Sequence, residues 1–330
     1  MKRKARIAVS AIGIVFVILA GVVLVLAFGG RRTATDEEAA EAIEAVRAFY
    51  DRVRAVSLVE LPNIGNWRCG GGIGRTASGR PVLGVSADLS DPLTDGRSDY
   101  KRVEAQYDLV SREVVYFSFL RGDTRRDLPQ AALDPELEQK LVKLAQEFAR
   151  ANGDTQYQFD YTERRANNYE LDVDFDRVIH DVYYVHDSLS ILVTRNGFIR
   201  GYYKKRQWRE VGFRHHRPVA ELLERSKRYA EGVELGDRRR TSEAKEVESH
   251  FAAGRPNRWL KPPFLRRLNG YLKPKALFAS LWEFSVTDPE GERLAFVLVF
   301  VSARGGGLVK RHLVVTHPGM AELYRKSLLF

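Results

Sequence analysis

The sequence predicts an α+β fold: an N-terminal transmembrane helix followed by two or three tandem modules, each a helix plus an antiparallel meander. Three observations predict it. An uncharged apolar run extends from Ile7 to about Phe28. Beyond it, helical and period-two hydrophobic patterns alternate, and the order helix then meander occurs three times. Turn residues such as Asn196-Gly197 and Gly305-Gly306-Gly307 punctuate the period-two stretches. With 44% hydrophobic and 29% charged residues among 330, the composition is that of a globular chain and excludes disorder or a collagen-like structure. The single cysteine, Cys69, excludes an intramolecular disulfide framework and a Cys-cluster metal site.

The apolar run, about 22 residues, is long enough to cross a hydrocarbon layer of roughly 30 Å as a helix rising 1.5 Å per residue. A secretory signal has a core of only about 7–15 apolar residues. Ala27-Phe28-Gly29 is a poor cleavage site, so the run reads as an uncleaved anchor. Lys2, Arg3, Lys4 and Arg6 precede it, and Arg31 and Arg32 follow. The positive-inside bias then places the N-terminus in the cytoplasm and the bulk of the chain outside it, at the cytoplasmic (inner) membrane, as a single-pass protein. No later segment is long enough to span, since the run from Leu294 to Val301 has strand length. The absence of any Asn-x-Ser/Thr sequon leans towards a bacterial envelope.

After the basic tip and anchor (1–32), the modules are expected at 33–127, 128–214 and 215–330. Thr35 and Glu38 form a capping-box pattern, and Ile43, Val46, Phe49, Tyr50 and Val53 recur at helical spacing over 36–56. Residues 60–80, aperiodic and dense in Gly, read as a loop. Strands are expected at 82–89, 103–110 and 113–120. Asp134-Pro135 opens a second helix carrying Leu137, Leu141, Leu144, Ala145 and Phe148, and Gly153 stops it. A period-two stretch then predicts strands at 156–162, 168–176, 178–186, 189–194 and 198–204. In the third module helices are expected at 218–229 and 242–253, strands at 277–286, 293–301 and 308–315, and a terminal helix at 318–329.

Tyr107 to Val115 (YDLVSREVV) resembles the strand–turn–strand signature of PepSY-type modules: Asp108, Ser111, Glu113 and Val114 fit it, and Arg112 stands where that pattern has Gly. Ala45 to Asp51 (AVRAFYD) is similar to the opening helix of cystatin-like and nuclear-transport-factor-like domains, which also occur in inner-membrane secretion-assembly proteins. The first resemblance implies small extracytoplasmic domains of a helix packed on a meander, and the anchored, tandem arrangement is compatible with either.

The motifs that carry chemistry are weak. His180 and His186, six apart on one expected strand, would share a face about 20 Å apart at 3.3 Å per residue, too far for a common metal. His215-His216 would point to opposite faces. Asp172, Asp174 and Asp176 alternate with Leu171, Val173 and Phe175 and read as the wet face of a strand. A calcium loop would need Gly and Glu where Arg177 and Tyr183 stand. Gly70 to Thr76 lacks the spacing and the Lys of a phosphate loop. Ser242-x-x-Lys245 lacks its companion elements, and Ser242 is accounted for as an N-cap. No catalytic residue, metal ligand or cofactor site is assigned.

The net charge of +10 is unevenly placed: residues 33–199 hold 20 basic and 29 acidic groups, whereas residues 200–275 hold 21 and 9. The candidate contact is therefore the basic aromatic segment. Tyr203, Lys205, Arg206, Trp208 and Arg209 represent its first part, and Arg258, Trp259, Arg266 and Arg267 its second. Arg with Trp and Tyr is the mixture of interface hot spots and also suits an anionic headgroup layer. The expected function is a non-catalytic scaffold or subunit of an envelope complex that binds another envelope or membrane protein. The alternative is a module for an anionic ligand, a lipid headgroup or wall polymer, with a hydrolase third. Nucleic acid is excluded as a partner by the extracytoplasmic placement.

Overall fold

Thr35 starts the first helix by accepting the Glu38 N–H at 3.1 Å while the Glu38 carboxylate accepts the Thr35 N–H at 3.0 Å. In the computed structural model, which describes residues 32–76, 79–95, 98–125, 133–165, 169–206, 216–254 and 275–321, this helix is α1 (Asp36–Val56). The apolar run 7–28 lies outside the described residues, and among them no helix is long and apolar enough to cross a membrane. Four strands follow α1: β1 (Arg68–Arg75), β2 (Pro81–Thr94), β3 (Ser98–Asp108) and β4 (Glu113–Arg125). Next come α2 (Pro135–Ala151), β5 (Tyr157–Arg165), β6 (Glu170–Ile179), β7 (Val182–Thr194) and β8 (Ile199–Lys205). The last group is α3 (Val219–Glu231), β9 (Arg239–Arg240), β10 (Lys245–Gly254), β11 (Lys275–Asp288), β12 (Gly291–Ser302) and β13 (Leu308–Thr316), closed by a 3-10 turn at Pro318–Met320.

Among the described residues, all of the strands belong to one sheet. β1 to β4 are antiparallel neighbours in order, as are β5 to β8 and β10 to β13. Two non-local seams join them. β4 pairs with β8 through Tyr116 opposite Tyr203, Phe117 opposite Tyr202 and Ser118 opposite Gly201. β7 pairs in parallel with β10 through Val182–Tyr184 and Phe251–Ala253.

The first seam is covered on one face by α1 and α2, whose apolar stripes share one core with β1 to β8. Phe49 of α1 sits at its centre, with ring centroids 5.2 Å from Phe117, 5.3 Å from Phe148 and 4.9 Å from Tyr202. These contacts tie both helices to both last strands, which is the packing that aromatic edges favour. A polar clamp closes the same seam. Lys204 reaches Asp154 at 2.7 Å and Glu113 at 2.9 Å, and the Tyr202 hydroxyl donates to Asp154 at 2.9 Å. Asn152 donates to Asp154 at 2.8 Å and accepts from Arg52 of α1 at 3.1 Å. A second network at the far end joins Arg121 of β4 and Arg200 of β8 to the buried Glu170 of β6. α3 packs on β11 to β13 over a separate core that contains Leu222, Trp282, Phe284 and Val297.

Four expectations need correction. Residues 68–75 form edge strand β1 instead of a loop. Cys69 and Ile73 pack inward in register with Val85 and Leu83, while the intervening glycines carry no side chain to show a period. Residues 242–253 are mostly strand β10 instead of a helix, because pairing to β11 and β7 outweighs helical propensity in EAKEVESHF. Ser242 is accordingly no cap; its hydroxyl accepts the Ser285 N–H at 2.8 Å. The chain turns at His180-Asp181, both at positive φ (50° and 60°) as a two-residue hairpin requires, so 182–194 is one strand with a left-handed kink at His186 (φ 68°). Finally, the acidic side of β6 is not fully wet, since Asp172 is buried. Of the expected terminal helix, only Pro318–Met320, a 3-10 turn, and Ala321 are described.

The hairpin at 108–113 has the expected turn. Asp108 accepts the Val110 and Ser111 N–H groups and pairs with Arg80 at 3.1 Å, and Arg112 takes φ 55°. A left-handed conformation costs an L-residue roughly 1 kcal/mol that Gly avoids. Arg112→Gly is therefore expected to raise unfolding free energy by about 0.5–1 kcal/mol in a urea titration. Lys204→Met should lower it by about 3–5 kcal/mol, because Asp154 is left buried without its cation, and adding Asp154→Asn should recover part of the loss.

Candidate functional site

One face of the β1–β8 sheet carries the helices; strand alternation fills the opposite face with polar and aromatic side chains. The pairing aligns them in rows. Gln106, Tyr116, Tyr203, Ser190, Asp174 and Tyr161 are successive cross-strand partners over β3, β4, β8, β7, β6 and β5. A second row runs through Glu104, Ser118, Gly201, Leu192, Asp172 and Glu163. Lys205, Ser188, Asp176 and Gln158 make a third.

The two tyrosines lie on the β4–β8 seam with ring centroids 5.2 Å apart at 77°. Gly201 makes room for this pair: a Cβ there would stand 2.9 Å from Tyr203 Cε2 and 3.0 Å from Leu192 Cδ1. Burial and the neighbouring Tyr203 raise the Tyr116 hydroxyl pKa. The Ser190 hydroxyl donates to Asp172.

The β5–β6 end of the face is acidic. Asp160 and Asp176 are hydrogen-bonded to each other, and burial, then the Asp160 and Asp174 charges, push the Asp176 carboxyl up to about 7. Burial also raises Asp160 and Glu248. His250 of β10 stacks on Tyr183 of β7 with centroids 4.4 Å apart, and burial pushes it down to about 4. This end holds protonatable acids against a neutral imidazole. Among the described residues no group of three or more His, Cys, Asp or Glu is placed to hold a metal ion.

Of the residues expected from sequence, Tyr203 and Lys205 share this polar face. Arg206 follows β8 and lies near the core residue Tyr157, whose hydroxyl pKa burial pushes well up. Trp208, Arg209, Arg258, Trp259, Arg266 and Arg267 lie outside the described residues. Tyr116, Ser190, Asp174 and Asp176 were not anticipated as neighbours of Tyr203; Tyr116 and Ser118 alternate with Phe117 and Phe119, which signals a polar face but not its partner strand. His180 lies in the turn and His186 in β7, correcting their placement on one strand. Among the described residues, depressions also lie elsewhere. One of about 280 Å³ along α3 includes Arg225 and Tyr229, and one of about 580 Å³ between α2 and β5 includes Val142 and Phe159.

No family model matches the chain, and no curated protein matches it. Among solved structures the chain is similar to the Bacillus megaterium YpeB C-terminal domain, at 10% sequence identity and a TM-score of 0.43, covering 86% of this chain and 99% of that one.

Asp176 and His250 make stability depend on pH in opposite directions. A carboxyl raised in the folded state contributes fully below its unfolded pKa, and that contribution is lost as pH rises towards about 7. An imidazole lowered to about 4 makes the fold lose stability as pH falls from about 6.5 towards 4. Relative to wild type, Asp176→Asn should therefore become more stable between pH 4.5 and 7.5, by a few kcal/mol at most. His250→Gln should gain on wild type in the reverse direction, towards acid. Urea unfolding across this range checks both slopes.

Proposed function

We propose that the chain is a membrane-anchored, non-catalytic binding subunit of an envelope complex, and that a partner protein docks on the polar sheet face around Tyr116, Tyr203 and Lys205. The observation that carries this reading is the pair of half-buried tyrosine rings at the centre of a broad face of hydrogen-bonding side chains. Rigid amphipathic rings in a polar surround are the usual anchors of protein interfaces, and they lose little entropy on binding. The basic aromatic run 200–217 begins on this face with β8, where Tyr203 and Lys205 lie. It would extend the contact through Trp208 and Arg209, with Arg258, Trp259, Arg266 and Arg267 as its second part. The apolar run 7–28, with its basic flanks, supports a single-pass anchor with the described residues outside the cytoplasm.

The test is purification of the full-length protein from its own membrane in mild detergent, with quantification of co-purifying proteins. A near-stoichiometric partner is expected with wild type and with Glu163→Ala, which alters the β5 edge of the face. Tyr203→Ala combined with Lys205→Glu should reduce its recovery at least tenfold while circular dichroism shows the variant still folded. Wild-type protein recovered alone would overturn the subunit reading.

A further inference from the structure

The chain that leads into α1 is not a free linker. Residues 32–34 lie along the outer edge of β1: Thr33 bridges Gly72, Ala34 N–H donates to Gly71 O at 3.1 Å, and Ile73 N–H donates to Arg32 O at 3.2 Å. The expected span ends at about Phe28, so four residue steps, at most roughly 14 Å of extended chain, separate the hydrocarbon edge from Arg32. The headgroup layer on one side takes up about 5–8 Å of that. Seven strand spacings of about 4.8 Å put β5 roughly 34 Å from β1 across the sheet.

The chemistry of β1 suits a lipid surface. Its glycines offer almost no side-chain bulk, and a Cβ added at Gly71 or Gly72 would meet no atom within 4 Å. Exposed Arg68 and Arg75 stand at its two ends and make no ion pair among the described residues, although Arg75 also reaches Gly79 O at 2.9 Å. Arg32, by contrast, is neutralised by Glu38 at 2.8 Å.

We propose that the β1 side of the sheet, with residues 32–34 laid along its edge, rests on the headgroup layer of the bilayer that holds residues 7–28, with Arg68 and Arg75 bound to lipid phosphates. This rests on the anchor reading above, and it fixes which edge of the sheet faces the membrane. β5 then points away from the bilayer, and the face carrying Tyr116 and Tyr203 stands across it, open to a partner from the side.

The test uses the full-length protein in a Cys69→Ser background, reconstituted in nanodiscs of phosphatidylcholine and phosphatidylglycerol. A fluorophore is attached at Gly71→Cys or, separately, at Glu163→Cys on β5, and quenching by a headgroup-spin-labelled lipid is measured. Quenching several-fold stronger at position 71 is expected. Protein that enters the discs but shows equal or reversed quenching at the two positions overturns the β1 placement and leaves the anchor standing. Protein that does not enter the discs overturns both. Adding Arg68→Glu and Arg75→Glu should weaken the quenching at position 71 in phosphatidylglycerol discs; unchanged quenching there would remove the arginines from the contact.

Discussion

The ammonium of Lys204 holds the first eight strands together at their narrowest seam. β4 and β8 pair over only three residues on each side, yet this short seam joins two four-stranded meanders into one sheet. A lysine almost fully removed from water is costly unless its charge is met. Here Asp154, at the end of α2, and Glu113, at the start of β4, both meet it, so one cation from β8 ties together elements contributed by each half. The Tyr202 hydroxyl and Asn152 satisfy the remaining oxygen of Asp154, and Asn152 carries the network to Arg52 on α1. The hydrophobic part of the seam depends on the same geometry. Phe49 can touch Phe117, Phe148 and Tyr202 together only while β4 and β8 lie side by side beneath both helices.

That constraint reaches the opposite face directly. Residues 116 and 203 alternate with 117 and 202, so locking Phe117 and Tyr202 into the core aims Tyr116 and Tyr203 outward as a pair. The polar face exists as one surface because the core beneath it is one core. A change that slipped the seam by one residue would exchange the two sets and destroy both.

Much of this was legible in the sequence, and the illegible parts have physical causes. The first helix could be read to the residue because Thr35 and Glu38 mark its start and a strict apolar stripe marks its length. The strands around Asn196-Gly197 and Gly305-Gly306-Gly307 were readable because turn chemistry is local. β1 was hidden, since a strand made of Gly has backbone partners but no pattern of side chains. β10 was hidden in another way: its residues favour a helix, and only partners 21 or more residues distant in the chain make it a strand. The turn at His180-Asp181 carries no Gly to announce it. Lys205 and Tyr203 could be picked out by composition, but their neighbours Tyr116, Ser190 and Asp174 could not, because strand pairing between β4 and β8 leaves no local trace.

The division of charge along the chain also acquires a structural meaning. Two cations of the basic stretch 200–275, Arg200 and Lys204, are spent as counter-ions for Glu170, Asp154 and Glu113. Asp108, Glu138 and Asp187 find Arg80, Arg164 and Arg177 within their own half. At the β5–β6 end of the polar face Asp160 and Asp176 relieve their repulsion by sharing a hydrogen bond, at the cost of a raised pKa. An anionic polymer lying across that face would meet this acidic end after passing Lys205. A protein partner can present a basic group to one end and an acidic group to the other, as the distribution of charge on the face demands. The same asymmetry separates the two proposed contacts: the arginines of β1 stand at one side of the sheet, suited to phosphate, and the acids stand at the other, out of reach of the headgroups.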